Sequence, residues 1–181
     1  MSRQWTINGR LSVVPAIERL DQLATPTAKA LAGLPAADVG VAEIDPDLAD
    51  TAEFCEHYGV PLAASANCVV VAGKRGGELA YAACLALATT RVNVNNVVRK
   101  LLGARKASFA PMDDAVRLTG MEYGGITPIG LPSQWRLLVD SAVAAAPELV
   151  VGGGARSCKL FVAGELLAAL PNAEVVEDLA A

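Results

Sequence analysis

A single histidine, His57, in 181 residues leaves almost no material for a histidine-rich metal site or a Ser-His-Asp triad. Lacking partners at ligand spacing, His57 is read as a helix-surface or capping residue ahead of Tyr58-Gly59. The four cysteines, Cys55, Cys68, Cys84 and Cys158, form no CxxC pair and have apolar neighbours, so inert buried thiols in a reducing compartment are expected, not disulfides or zinc ligands. No charge-free apolar run approaches the roughly 18 residues of a membrane span. The most apolar stretch, 137–151, is interrupted by Asp140, Pro147 and Glu148. The first ten residues lack a basic segment followed by an apolar one, so no export signal is read and a cytoplasmic location is expected. No GxxxxGK[ST] spacing surrounds Lys74 and Arg75, which excludes a P-loop. A net charge of −4 and a pI near 5.0 exclude a protein that grips nucleic acid over its whole surface, leaving only a local basic patch.

What is present is apolar: 53% of the residues are hydrophobic, enough for one good core, in a chain too short for two ordinary domains and a linker. Residues 1–38 read as a helical extension, with Val13, Ile17, Leu20 and Leu23 at helical spacing and Pro26 and Pro35 as punctuation. The main domain is expected over 39–181. Residues 39–44 predict a strand, and Asp47 or Asp50 caps a helix ending at Tyr58-Gly59. Two apolar runs, 68–72 and 78–85, flank Gly73-Lys74-Arg75-Gly76-Gly77 and read as a hairpin with Lys74 and Arg75 at its solvated tip. Residues 93–102 predict a helix with Val94, Val97, Val98, Leu101 and Leu102 on one face, 104–110 a strand, and Pro111 the start of a helix stopping at Thr119-Gly120. Short strands at 136–139, 149–151, 159–162 and 173–176 and a helix at 164–170 follow. Without regular βαβ alternation, the fold class is α+β with a mixed, curled, barrel-like sheet surrounded by helices.

Two glycine-rich connections stand out, Gly124-Gly125-Ile126-Thr127-Pro128-Ile129-Gly130 and Gly152-Gly153-Gly154. In the first, glycine permits positive φ and close approach of a ligand, while Pro128 stiffens the loop and keeps Thr127 extended. Exposed N–H groups on such a loop suit a carbonyl oxygen or a developing oxyanion. Equally, the segment serves as a tight helix-to-strand connection that touches nothing.

The order of features narrows this choice. A hairpin, a helix ending Leu101-Leu102-Gly103, the segment Ala104-Arg105-Lys106-Ala107-Ser108-Phe109-Ala110, a helix, Thr119-Gly120 and then GGITPIG resembles the YbaK/prolyl-tRNA-synthetase-associated domain family, modules that hydrolyse mischarged aminoacyl-tRNA. The similarity runs from about residue 60 to about 170 and leaves out the first 38. It implies a pocket for the aminoacyl-adenosine end of tRNA, in which Gly124 and Gly125 take the catalytic, carbonyl-binding role and water or the terminal ribose hydroxyl performs or assists the attack. It implies no cofactor and no metal. Tyr123, Ile126, Thr127, Pro128, Gly152, Gly153, Lys159 and the hairpin start Ala66-Asn67 are the corresponding substrate-binding positions; Tyr123, Ile126 and Ile129 serve equally as core residues. The family usually carries a lysine at the hairpin start to meet the 3′-terminal phosphate, where this chain has Ala66-Asn67-Cys68, and an aspartate where it has Lys159. Lys159 or Arg156 replaces the missing cation, or Lys159 is a surface residue at a strand start.

The implied function is a trans-acting aminoacyl-tRNA deacylase whose partner is the tRNA acceptor end. The alternative is a non-catalytic nucleotide or aminoacyl-adenosine binder with a degenerate editing site. A third reading, an interaction module, rests on the alanine-rich segment 141–147. Arg91, Arg99, Lys100, Arg105 and Lys106 gather around one helix and its exit, either as phosphate contacts or as a solvated face.

Overall fold

The computed structural model describes residues 2–181 and contains two β-sheets whose faces are set by the alternation of side chains along each strand. The chain enters through β1 (Val14–Pro15), a 3-10 helix (Ala16–Gln22) and α1 (Thr25–Leu31). It continues through β2 (Gly40–Glu43), α2 (Thr51–Tyr58) and the hairpin of β3 (Ala66–Arg75) and β4 (Glu78–Leu87). A π-helical turn (Val94–Val98) runs into α3 (Arg99–Leu101), followed by β5 (Lys106–Phe109), α4 (Met112–Thr119) and β6 (Arg136–Asp140). The rest comprises α5 (Ser141–Ala144), β7 (Leu149–Gly152), β8 (Cys158–Val162), α6 (Gly164–Ala168) and β9 (Ala173–Val176).

One sheet has the order β1-β2-β8-β7 and is antiparallel throughout. The other, β5-β3-β4-β6-β9, is mixed: β3 pairs antiparallel with β4 and β5, while β6 runs parallel to β4 and β9. Leu160 and Val162 of β8 point into the core between the sheets with Val70, Ala83, Leu85, Leu137 and Val139. Phe161, on the opposite face of β8, packs on Phe54 of α2, and burying one such side chain contributes about 1.5–3 kcal/mol. Behind the other sheet, Val71, Ala82, Cys84 and Leu138 pack on Val98 and Leu102. Sheets buried on both faces explain why β4 and β6 read as nearly continuous apolar runs.

The architecture is α+β as expected, but the strands form two open sheets, not one curled, barrel-like sheet. Besides the core they share, a β-bridge between Ser65 and Val150 joins them. Residues 2–38 contain the 3-10 helix, α1 and β1, which pairs with β2. Ala16, Leu23 and Leu31 lie in the core between the sheets. The hairpin turn is shorter than expected. Only Gly76 and Gly77 form it, at φ +58° and +85°, the mirror-image turn that suits strand twist. Gly73 and Lys74 belong to β3, and Gly73 is closely packed there: a Cβ would sit 3.0 Å from both Ala104 Cβ and Leu102 Cδ1. His57 is exposed in the last turn of α2, which Gly59 ends in the left-handed conformation. The segment 141–147 contains the single turn of α5, started by Asp140 Oδ2 accepting from the Ala142 amide.

Candidate functional site

The strand pairing creates the site. β4 occupies one edge of β3 over its whole length, so β5, paired at Val71–Lys74, and the Ser65–Val150 bridge both fall on the other edge. Between them β3 has no partner strand. A cavity of about 460 Å³ opens in this gap, lined by Ala66, Asn67, Cys68, Val69 and Val70 along its floor. The carbonyls of Val70 and Lys74 accept from Ala110 and Arg105 on the β5 side. The two-residue period of the ladder therefore turns the Cys68 amide and carbonyl to the same open edge.

The wall opposite comes from the glycine-proline loop. Tyr123, Gly124 and Ile126 line the cavity, and the backbone amides of Gly124 and Ile126 have no protein partner among the described residues. Gly124 has φ +85°, and a Cβ on it would meet Arg156 Nη1. Arg156 clamps this loop by donating to Tyr123 O and Pro46 O, each at 3.1 Å, and lies 3.6 Å from Asp50. Its guanidinium is thereby committed to structure.

Gly125 is placed differently from Gly124. Its amide donates to Glu122 O at 2.9 Å, its carbonyl accepts from Gly154 at 2.7 Å, and it does not line the cavity. Gly152 lines the cavity, and a Cβ there would lie 2.5 Å from Gly125 O, so this glycine lets the loop lie flat on β7. Gly153 backs the site, since a Cβ would meet Cys158 Sγ. Thr127 is fully buried with its amide toward Met121 Sδ, while Pro128 and Ile129 line a separate apolar cavity of about 310 Å³.

Lys159 is brought into the site from β8. It shares the α2 side of that sheet with Phe161, is only 6% exposed, and lines the cavity. Its Nζ donates to Ala49 O at 2.8 Å and stands 5.1 Å from the Phe54 ring centre. No carboxylate lies within ion-pair distance of it among the described residues. Burial lowers its pKa to about 8, a shift resisted by Cys55, Cys158 and Asp50 and reinforced by Arg156. With one carbonyl as acceptor, the ammonium keeps further donors for a ligand. Ala66 is 5% exposed and contributes only a small apolar surface, whereas Asn67 is exposed and accepts from the Thr51 hydroxyl at 2.6 Å.

The structure adds residues that motif reasoning did not reach. Ala49, Asp50 and Thr51 form one side, Phe109 and Ala110 the mouth, and Ala115 of α4 the apolar depth. Asp50 could have been found as the expected cap of α2, although its side chain makes no capping bond. Burial pushes the Cys68 thiol far up and that of Cys158 to about 11, so neither is a thiolate nucleophile near neutrality.

The fold has solved counterparts. A scaffold protein from work on epitope backbone grafting by computational design superposes with a TM-score of 0.72 at 21% identity, covering 85% of this chain and 95% of that one. A protein described as a candidate trans-editing enzyme for prolyl-tRNA synthetase gives 0.70 at 20% identity, covering 85% and 94%. A hypothetical protein gives 0.69 at 23%, covering 78% and 90%. At these identities the likeness concerns fold. The sequence model of the aminoacyl-tRNA editing domain matches residues 45–170, which takes in β3, the glycine-proline loop, Gly152 and Lys159, and the chain belongs to that family.

Proposed function

We propose that the protein is a trans-acting aminoacyl-tRNA deacylase that hydrolyses the ester of a mischarged tRNA in the cavity between β3 and the glycine-proline loop. The observation that carries this reading is a pair of unpartnered amides, Gly124 and Ile126, on a clamped loop facing a cavity of ligand size. Water attacks the ester carbonyl, the carbonyl oxygen takes negative charge that the two amides stabilise, and the bond to the ribose oxygen breaks. The ribose oxygen leaves with one of the water's protons as the terminal hydroxyl, and the amino acid departs as its carboxylate with the second proton released to solvent. Fixed dipoles aimed at the developing charge account for catalysis without a side-chain nucleophile. Because the Gly125 amide is engaged with Glu122, the carbonyl-binding role passes to Gly124 and Ile126 on either side of it.

Lys159 takes over the phosphate contact that the family's hairpin lysine would make, entering the cavity from β8 while Ala66 and Asn67 line it from β3. The apolar depth at Ala66, Val70 and Ala115 suits a small side chain on the amino acid. The role implies a cytoplasmic protein; no helix among the described residues is long and apolar enough to cross a membrane.

The absence of a cation at Ala66-Asn67 favours a second reading, a binder of nucleotide or aminoacyl-adenosine that does not turn over. Deacylation assays across tRNAs charged with small amino acids separate the two. Release of amino acid above the uncatalysed rate is expected; binding without release from any of them would establish the second.

A further inference from the structure

Charge is segregated along this chain. Seven of its 15 Lys and Arg residues lie between Lys74 and Lys106, where Glu78 is the only acid, a local balance of +6 in a protein of net charge −4. None of the seven is ion-paired among the described residues. Four of them, Lys74, Arg99, Arg105 and Lys106, line a second cavity of about 720 Å³. Its single carboxylate, Asp114, is taken up by Arg117 at 3.0 Å. Arg99 is fixed in place by donating to Asn95 O and Ala104 O. Lys74 and Lys106 stand directly opposite each other across the β3–β5 pair. Like charges in that relation are destabilising, and an anion between them removes the cost.

The basic cavity and the site described above flank the same strand, β5. Ala107 and Ser108 line the former, Phe109 and Ala110 the latter. From Lys106 to Phe109 the strand advances about 10 Å. Of the chain's two tryptophans, three tyrosines and three phenylalanines, only Phe109 and Tyr123 are exposed, at 58% and 51%. Both stand at the mouth of the proposed editing cavity. A positive groove leading to exposed aromatic rings is the combination that holds single-stranded nucleic acid, with phosphates on the cations and bases stacked on the rings.

We infer that β5 is the entry track for a single-stranded RNA 3′ end: the terminal base stacks at Phe109, and the preceding phosphates lie on Lys74, Arg105 and Lys106. This rests on the editing reading and names the surface by which that substrate docks. The side chains of Lys74, Arg105 and Lys106 are exposed and make no hydrogen bond or ion pair among the described residues, so their replacement leaves the protein intact.

The test measures fluorescence anisotropy of a short single-stranded RNA ending in CCA with a free 3′ hydroxyl, titrated at several salt concentrations. Wild type is compared with the double variant Lys74→Gln/Lys106→Gln, with Phe109→Ala, and with a control, Arg10→Gln/Lys29→Gln, that removes two exposed cations elsewhere. Each phosphate contact on a single strand adds about 0.7 to the slope of log affinity against log salt. The double variant should therefore lower the slope by about 1.4, so that wild type loses about sevenfold more affinity than the variant between 50 and 200 mM salt. Phe109→Ala should weaken binding about fivefold or more with the slope unchanged. No RNA binding by wild type, an unmoved slope in the double variant, or an equal change in the control overturns the inference. Release of amino acid from mischarged tRNA is followed in parallel. Turnover with an unmoved slope refutes the docking surface alone; the expected slope change without turnover refutes the deacylase reading and leaves the surface standing.

Discussion

Replacing Lys159 by methionine should raise stability at neutral pH while abolishing deacylation. The side chain is charged below about pH 8 in the folded protein and, with an ordinary pKa of 10.5, charged up to higher pH when unfolded. A lowered folded pKa means that the unfolded chain binds more protons between those values, so stability rises with pH across that window. Below pH 8 the burial of the charge is fully unfavourable, by about 3 kcal/mol for a shift of this size. The hydrogen bond to Ala49 O returns about 1.5–3 kcal/mol of that, so Lys159→Met is expected to gain about 1 kcal/mol at pH 7. The pH dependence is the sharper measure. Between pH 7 and 9.5 wild type should gain about 2 kcal/mol relative to Lys159→Met, read from urea unfolding of both proteins at each pH. A constant difference across that range, or full deacylation by the variant, would refute the assignment of Lys159 as a strained, functional cation.

Gly124→Ala should cost about 1–3 kcal/mol in thermal unfolding and most of the activity, because φ +85° is strained for alanine and the new methyl displaces the Arg156 clamp. Arg156→Met, which frees Tyr123 O and Pro46 O, should reduce kcat/KM at least tenfold, with a stability loss of about 1–2 kcal/mol. Iodoacetamide at pH 8 should leave Cys68, Cys84 and Cys158 of the native protein unmodified, and Cys68→Ala should deacylate normally; rapid labelling of these or a dead variant would reinstate a cysteine nucleophile.

Local chemistry made much of this structure readable in advance. The hairpin, the helix stops at Gly59 and Gly120 and the short strands from Arg136 onward all follow from residues that act on their immediate neighbours. The open edge of β3 could not be read that way. It exists because β5 and Val150 arrive at different points along one strand edge, a register set by packing between distant segments. Gly73 misled for the same reason: next to Lys74-Arg75-Gly76-Gly77 it reads as turn, yet its missing side chain accommodates Leu102 and Ala104. The glycines at 124 and 125 look alike in sequence. Only the turn bond from Gly125 to Glu122 distinguishes an engaged amide from a free one.

A phosphate contact through Lys159 would have a kinetic consequence. A solvated lysine stays charged to high pH, whereas Lys159, surrounded by Phe54, Ala49, Cys55, Cys158, Asp50 and Arg156, has its pKa lowered by burial to about 8. If its ammonium grips the terminal phosphate, kcat/KM corrected for uncatalysed ester hydrolysis should be flat to about pH 8 and then fall up to tenfold per pH unit. The bound phosphate stabilises the charged form, so kcat should hold to higher pH than kcat/KM, and the gap between the two profiles measures the contact. A base at the same position predicts the reverse slope, because only the neutral amine accepts a proton. A corrected kcat/KM that climbs through pH 8 would therefore eliminate the phosphate grip and make Lys159 the group that activates water.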